Sequence, residues 1–234
     1  MQLDISLPAT NLAVNPTAPN VAPSRPGVDH SAMRAPTWPA GLPMLAETTP
    51  QTTLDAALQL AEVGGVLAVD LYAKDGKRPV MRAYQDTLPW PRLERGIWYG
   101  STRNTDIIAR WFGPRGEFSG QRYGVGLALR DAGLCALDVD DARGAVELVR
   151  LVESVGGWGG PTFAVMSTRG PKLIYQRPAE LAGLNHVRQK ALDIEDRVGL
   201  AAIDVVLHYA LLWAPGRRWY GSPADIATMP GGEL

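Results

Sequence analysis

The chain has 234 residues, of which 46% are hydrophobic and 20% charged, proportions typical of a globular protein large enough to bury a core. Its 23 basic and 24 acidic residues give a formal net charge of −1, which excludes a chain-wide basic field for nucleic acid, so such binding needs a local patch. One cysteine excludes an internal disulfide, and the lack of a signal peptide or an apolar run of about 18–20 residues favours a cytoplasmic protein with no membrane partner.

The first 50 residues contain nine of the 19 prolines, interspersed with Ala, Thr, Ser and Asn. Proline fixes φ and lacks an amide hydrogen, so this composition predicts a flexible arm over residues 1–50 in place of helix or sheet. We therefore expect the folded domain at residues 51–222 and a frayed tail at residues 223–234.

Within the expected domain, helix and strand patterns alternate with turn residues. The stretch 52–65, "TTLDAALQLAEVGG", has a threonine cap, apolar residues at helical spacing and a Gly-Gly stop, which predict a helix. Hairpins are expected at the turns 131–133 and 169–171, and the mixture of elements favours an α+β fold over an all-parallel sheet. The other expected elements are strands at 66–72, 122–130, 133–140, 162–168 and 172–178, helices at 104–113 and 141–157, a looser helical segment at 187–198, and one or two strands within 201–216.

Two carboxylates interrupt the apolar strand at residues 134–140, because "LCALDVDDARG" places Asp138 and Asp140 two residues apart. On a strand such residues project from the same face, where their charges repel unless a cation lies between them. Mg²⁺ prefers one or two carboxylates together with phosphate oxygens and water, so the pattern predicts a Mg²⁺ (or Mn²⁺) site. In the alternative interpretation, Asp140 and Asp141 cap the following helix and Asp138 is solvated at the strand end.

A third carboxylate, Asp204, lies early in the apolar stretch "AIDVVL". If its strand lies beside the strand of Asp138, three carboxylates converge on one site. Taken alone, Asp204 is equally consistent with an acid at a strand edge or turn.

Six motifs occur in an order typical of one family, and each is weak by itself. The motifs are "GKRPV" (76–80), "TDIIARWF" (105–112), "YGVGLAL" (123–129), "LCALDVDDARG" (134–144), "STRGPKLIYQRP" (167–178) and "IDVVLHYALLWAPG" with "RRWY" (203–220). With these motifs, from Gly76 to about Tyr220, the chain resembles the bifunctional primase/polymerase (prim-pol) domain of phage, plasmid and mobile-element replication proteins, within the archaeo-eukaryotic primase superfamily. The family usually has Asn where this chain has Tyr123.

The resemblance implies a fold, an activity and a set of site residues. The fold would be an RRM-like catalytic sheet packed with an N-terminal α/β layer. The activity would be template-directed nucleotidyl transfer by a DNA primase/polymerase. Asp138, Asp140 and Asp204 would be the catalytic ligands of two Mg²⁺ ions; Ser167, Thr168, Arg169, Gly170 and Lys172 would bind the nucleotide; Lys77 and Arg78 would contact nucleic acid or phosphate.

The nucleotide-binding hairpin departs from the family pattern, which has a Gly-Gly-x-His sequence whose histidine contacts the phosphates. An ungapped alignment puts Leu173 at the histidine position and implies a catalytically impaired site. A one-residue deletion puts Lys172 there, and its ammonium could contact phosphate. The ungapped alignment is slightly favoured because it matches Tyr175 and Arg177 better.

The expected partners follow from the resemblance: a single-stranded DNA template, an NTP or dNTP, and a replicative helicase on a separate polypeptide. The alternative function is a catalytically impaired primase-fold module that binds nucleic acid or assembles the replisome. A metal-dependent nuclease is less favoured, because no His or Lys general base lies near the two acids in sequence.

Overall fold

The computed structural model describes residues 38, 40–73, 78–80, 100–139, 142–154, 160–181 and 203–229. Among the described residues, no helix combines the length and the apolar character needed to cross a bilayer. The helices are α1 (Thr53–Ala61), α2 (Thr105–Phe112) and α3 (Ala142–Ser154). The strands are β1 (Val66–Asp70), β2 (Arg78–Pro79), β3 (Tyr123–Ala128), β4 (Leu134–Val139), β5 (Ala164–Met166), β6 (Pro171–Gln176), β7 (Ile203–Val206), β8 (Tyr209–Trp213), β9 (Arg218–Tyr220) and β10 (Ala227–Thr228).

The strands form two sheets. The first has the order β2-β1-β3-β8 and the second has the order β7-β4-β6-β5-β9, and all of these pairs are antiparallel. Strand β10 extends the second sheet by pairing parallel to β6. This arrangement of antiparallel sheets and helices confirms the predicted α+β class.

Helices α1 and α2 lie within the helical stretches predicted at residues 52–65 and 104–113. The Thr52 side chain accepts a hydrogen bond from the amide of Asp55 at 3.1 Å. The Asn104 side chain likewise accepts from the amides of Asp106 and Ile107. These caps satisfy amides that the first helical turn leaves without partners.

Two apolar clusters hold the second sheet between them. The central cluster collects side chains from α1, α2 and both sheets, with Trp111, Phe118 and Trp219 among its largest members. The outer cluster packs α3 against the opposite face of the second sheet, through residues such as Leu148 and Leu137. Strand β4 contributes to both clusters because alternate residues point to opposite faces.

One predicted hairpin does not form. β3 and β4 follow each other through a tight turn, in which Leu134 N–H donates to the carbonyl of Leu129, but β3 belongs to the first sheet and β4 to the second. Both strands are buried on both faces and have strand neighbours on both sides, so their partners come from distant parts of the chain. The second predicted hairpin, β5-β6, is confirmed, and residues 201–216 contain two strands, one in each sheet.

The packed part of the chain begins before residue 51, contrary to the predicted boundary. The N-terminal segment, defined here as residues 40–50, lies along β9: Thr48 N–H donates to the carbonyl of Trp219 and Gly221 N–H to that of Ala46. Leu42 of this segment is buried in the outer cluster. The arm prediction for residues 1–37 and the helix prediction for residues 187–198 lie outside the described residues.

The tail also differs from the prediction. Residues 223–225 form a 3₁₀ turn that begins with a capping box. The Ser222 side chain accepts a hydrogen bond from the backbone amide of Asp225, and the Asp225 side chain accepts one from the backbone amide of Ser222. Strand β10 then pairs with β6. Residues 223–229 are therefore part of the packed domain, and their sequence carries the capping residues that make the turn.

Candidate functional site

One row of residues crosses the second sheet and carries the predicted acids. Asp138 of β4 lies directly opposite Asp204 of β7 on one side and Lys172 of β6 on the other. The row continues through Val165 and Trp219, which are fully buried. Directly opposed residues in an antiparallel pair share a face, with Cβ atoms about 4.5–5.5 Å apart. The sheet therefore places two carboxylates and one ammonium side by side.

The charged part of this row lies where the central cluster ends. Leu134 and Ala136 precede Asp138 on the same face of β4, and both are buried in that cluster. The Asp138 side chain is 25% exposed, so its carboxylate remains within reach of solvent. The carboxylate of Asp138 therefore lies at the boundary between the buried apolar cluster and solvent.

Lys172 forms an ion pair with Asp138 through Nζ and Oδ2. The lysine is only 6% exposed, so its charge is largely removed from water. A buried ammonium needs a partner because desolvation without one is costly. The carboxylate of Asp138 supplies that partner in this structure.

The structure also separates the two residues that compete for the family's histidine position. Leu173 is buried on the opposite face of β6, in the outer cluster against α3. Lys172 is the residue that faces the carboxylates. The slightly favoured alignment, which puts Leu173 in the site, is therefore inconsistent with the direction of its side chain.

The turn between β5 and β6 holds the other predicted nucleotide-binding residues. Ser167 Oγ accepts hydrogen bonds from the amides of Arg169 and Gly170, at 3.2 and 3.3 Å, and donates to the Gly170 carbonyl at 3.0 Å. The amides of Arg169 and Gly170, two residues that the family resemblance assigns to nucleotide binding, are thus bonded within the turn. Thr168 and Arg169 are exposed at its tip.

Arg217 belongs to the site although the sequence analysis gave it no role. It is half-buried in the turn between β8 and β9, and its guanidinium donates to the Leu211 carbonyl at 2.9 Å. Burial lowers the pKa of Arg217, the charge of Asp138 opposes this shift, and the nearby charge of Arg169 adds to it. Arg217 therefore lies within electrostatic reach of both residues. Its signal in the sequence was the Arg pair after "APG", downstream of the third acid.

The structure describes two of the three acids that are predicted to bind metal. Asp138 and Asp204 lie side by side, whereas Asp140 lies outside the described residues. In the part of the chain that the structure describes, no three His, Cys, Asp or Glu side chains form a metal-binding group. Two carboxylates fit one Mg²⁺ whose other ligands are phosphate oxygens and water. A second ion depends on Asp140.

The predicted nucleic-acid contacts are located only in part. Lys77 lies outside the described residues. Arg78 is an exposed residue of β2, at the edge of the first sheet, and so is not on the sheet that carries the acids. Burial raises the pKa of Tyr209, and the charge of Arg78 opposes that shift. Arg78 thus lies within electrostatic reach of Tyr209.

A comparison of the sequence with protein families gives a match over most of the chain. Residues 21–231 match the family described as bifunctional DNA primase/polymerase, N-terminal. The chain belongs to this family. The match covers nearly the whole sequence and includes the N-terminal segment. No curated protein and no solved structure matches the chain.

Membership assigns the primase-like α+β fold and a primase/polymerase type of function, which acts on a DNA template and nucleotides. In this prim-pol domain the candidate site comprises the Asp204–Asp138–Lys172 row, the β5-β6 turn and Arg217. Lysine occupies the position that faces Asp138, where the family resemblance leads us to expect histidine.

Proposed function

We propose that this prim-pol domain catalyses template-directed nucleotidyl transfer with two divalent metal ions, in the DNA replication of a phage or plasmid. The observation that carries the proposal is the Asp204–Asp138 pair on one face of the second sheet, with cationic side chains beside it. Like charges directly opposite each other destabilise a sheet, so their presence here favours a function that needs both.

The carboxylates would hold the metal. Asp138 and Asp204 are placed to bind one ion together, and Asp140 is the expected further ligand for a second. Metal ions bound in this way neutralise charge on the triphosphate and on the attacking and leaving oxygens.

The cationic residues would hold the nucleotide. Lys172, Arg217 and the exposed Arg169 lie on the same side of the acids' row, where together they offer positive charge to a triphosphate. Arginine forks and ammonium groups both bind phosphate oxygens. These residues would position the α-phosphate for attack, which requires no protein general base.

Primer synthesis and primer extension on single-stranded DNA, with Mg²⁺ or Mn²⁺ and either NTPs or dNTPs, test the proposal. The wild type should form product, and Asp138→Asn should reduce the rate by at least about 10³-fold, since it removes a carboxylate that acts in the transition state. Asp131→Asn is the matched control, because Asp131 is an exposed turn residue away from the row. Equal activity of wild type and Asp138→Asn would contradict the proposal.

A second function is favoured by two contacts. Lys172 already pairs with Asp138, and Ser167 already bonds the turn amides, so the site is internally satisfied. A primase-fold module that binds nucleic acid without turnover has these properties. That function predicts tight, metal-independent binding of single-stranded DNA and no product with any nucleotide.

A further inference from the structure

The Lys172 ammonium occupies one oxygen of the carboxylate that a divalent cation would share with Asp204. Its Nζ bonds Oδ2 of Asp138, while Asp204 lies on the other side of the same residue. A metal ion that binds both acids would therefore share Asp138 with Lys172, and the two positive charges would repel each other. The chain supplies its own counter-cation to the site.

Displacing Lys172 without giving it a new partner is unfavourable. The side chain is 6% exposed, so the released ammonium would remain mostly out of water and close to the metal's charge. A triphosphate changes this balance, because its oxygens are strong acceptors for an ammonium. The metal alone should therefore bind weakly, and the metal with a triphosphate should bind well.

The two neighbouring cations are not equivalent. The Arg217 guanidinium is held by the Leu211 carbonyl in a turn, which fixes its position. Lysine carries a compact charge on a flexible four-carbon stem, so Lys172 can turn from one acceptor to another. Only the lysine is both bonded to a metal ligand and suited to move.

We propose that Lys172 is the counter-cation of Asp138 in the free domain and transfers to the triphosphate when metal and nucleotide bind. Metal and nucleotide then bind with positive cooperativity, and by linkage each raises the affinity of the other by the same factor. This inference rests on the proposed function for the identity of the ligands. In this proposal, the carboxylate of Asp138 becomes fully available to the metal ion when Lys172 moves to the triphosphate.

Binding of Mn²⁺ without nucleotide, followed by electron paramagnetic resonance, tests the first half. Lys172→Gln keeps a hydrogen-bond donor for Asp138 but removes the charge, and it should bind Mn²⁺ about tenfold more tightly than the wild type. Its affinity for a non-hydrolysable dNTP at fixed Mn²⁺ should fall. Arg150→Met is the control, because it removes one positive charge from an exposed position on α3. It should change neither affinity.

Acetylation of the wild type, with each lysine quantified by peptide mass spectrometry, tests the second half without mutation. Relative to Lys74 and Lys190, labelling of Lys172 should rise with Mn²⁺ alone and fall when Mn²⁺ and the dNTP analogue are present together. If Lys172→Gln binds Mn²⁺ no better than the wild type, or if Mn²⁺ leaves Lys172 labelling unchanged, the transfer is wrong. These measurements need no turnover, so an inactive enzyme would contradict the proposed function and leave this test intact.

Discussion

Asp138 and Asp204 are direct cross-strand partners, so the second sheet holds two like charges opposite each other at the end of an apolar face. A sheet selected for stability alone would avoid this pairing. Strained or repulsive arrangements of this kind occur at functional sites, where stability is exchanged for chemistry.

Replacing one of these acids separates stability from metal binding. Asp204→Asn keeps the size of the side chain and removes one of the two opposed charges, so the thermal midpoint of this variant without metal is the baseline for its metal binding. The increase in the midpoint that Mn²⁺ produces in the wild type should disappear, because one carboxylate ligand is lost. Calorimetry with and without Mn²⁺ measures both effects. An unchanged Mn²⁺ shift would show that Asp204 is not a ligand.

The N-terminal segment should contribute measurably to the stability of the domain. It buries Leu42, pairs with β9, and follows Trp38, whose ring lies 4.6 Å from that of Tyr220. A chain that starts at residue 51 should be less stable than one that starts at residue 38 by at least about 2 kcal/mol, the cost of removing one buried leucine. Urea denaturation of the two truncated chains measures the difference. Equal urea midpoints for the two chains would show that residues 38–50 do not stabilise the domain, as the predicted boundary at residue 51 implies.

Local sequence signals predicted the elements well. The caps Thr52 and Asn104 are the first residues of the predicted helical stretches 52–65 and 104–113, and such signals are readable because capping depends on residues within one helical turn. The β5-β6 hairpin was also predictable, since its turn lies between its own two strands. The β3-β4 hairpin was not, because each strand is central in a different sheet and its partners come from distant segments.

The site was predictable only where its residues carry a pattern. The Asp-x-Asp spacing identified Asp138, and the motif order identified Asp204. Whether Lys172 or Leu173 faces these acids depends on a one-residue shift in the alignment. Because neighbouring residues of a strand point to opposite faces, this shift decides which side chain lies beside the acids, and the sequence alone does not determine it. Arg217 lies in the Arg pair after "APG", but nothing in that pattern indicates its electrostatic interaction with Asp138, which is distant in the sequence.

Close approach of backbones should make Gly124 irreplaceable in β3. A Cβ atom added there would lie 2.5 Å from the Trp213 carbonyl oxygen of β8, and a strand backbone cannot move aside without breaking its pairing. Gly124→Ala should therefore destabilise the domain by about 1–3 kcal/mol. Gly120→Ala is the control, since an added Cβ meets nothing within 4 Å there. A Gly124→Ala variant as stable as the control would contradict this packing.

The single thiol should report unfolding and resist modification in the native state. Cys135 is fully buried, and burial raises its pKa to about 11, with the charge of Arg177 opposing the shift. Between pH 7 and pH 9 the thiolate fraction should stay very small, so labelling by a disulfide reagent should be slow until denaturant is added. Labelling kinetics across this pH range measure the effect. Rapid native labelling at pH 8 would place Cys135 at the surface.

Arg217 should support nucleotide binding more than it supports folding. Its guanidinium donates to the Leu211 carbonyl and lies within electrostatic reach of Asp138 and Arg169. Arg217→Met should raise the nucleotide KM about tenfold or more, as expected for losing a hydrogen bond to a charged group, with a smaller effect on kcat. Arg217→Lys should recover part of that loss because it keeps the charge, whereas Arg115→Met, an exposed control, should match the wild type. A purely structural role for Arg217 would instead lower the thermal midpoint of both Arg217 variants and leave their KM unchanged.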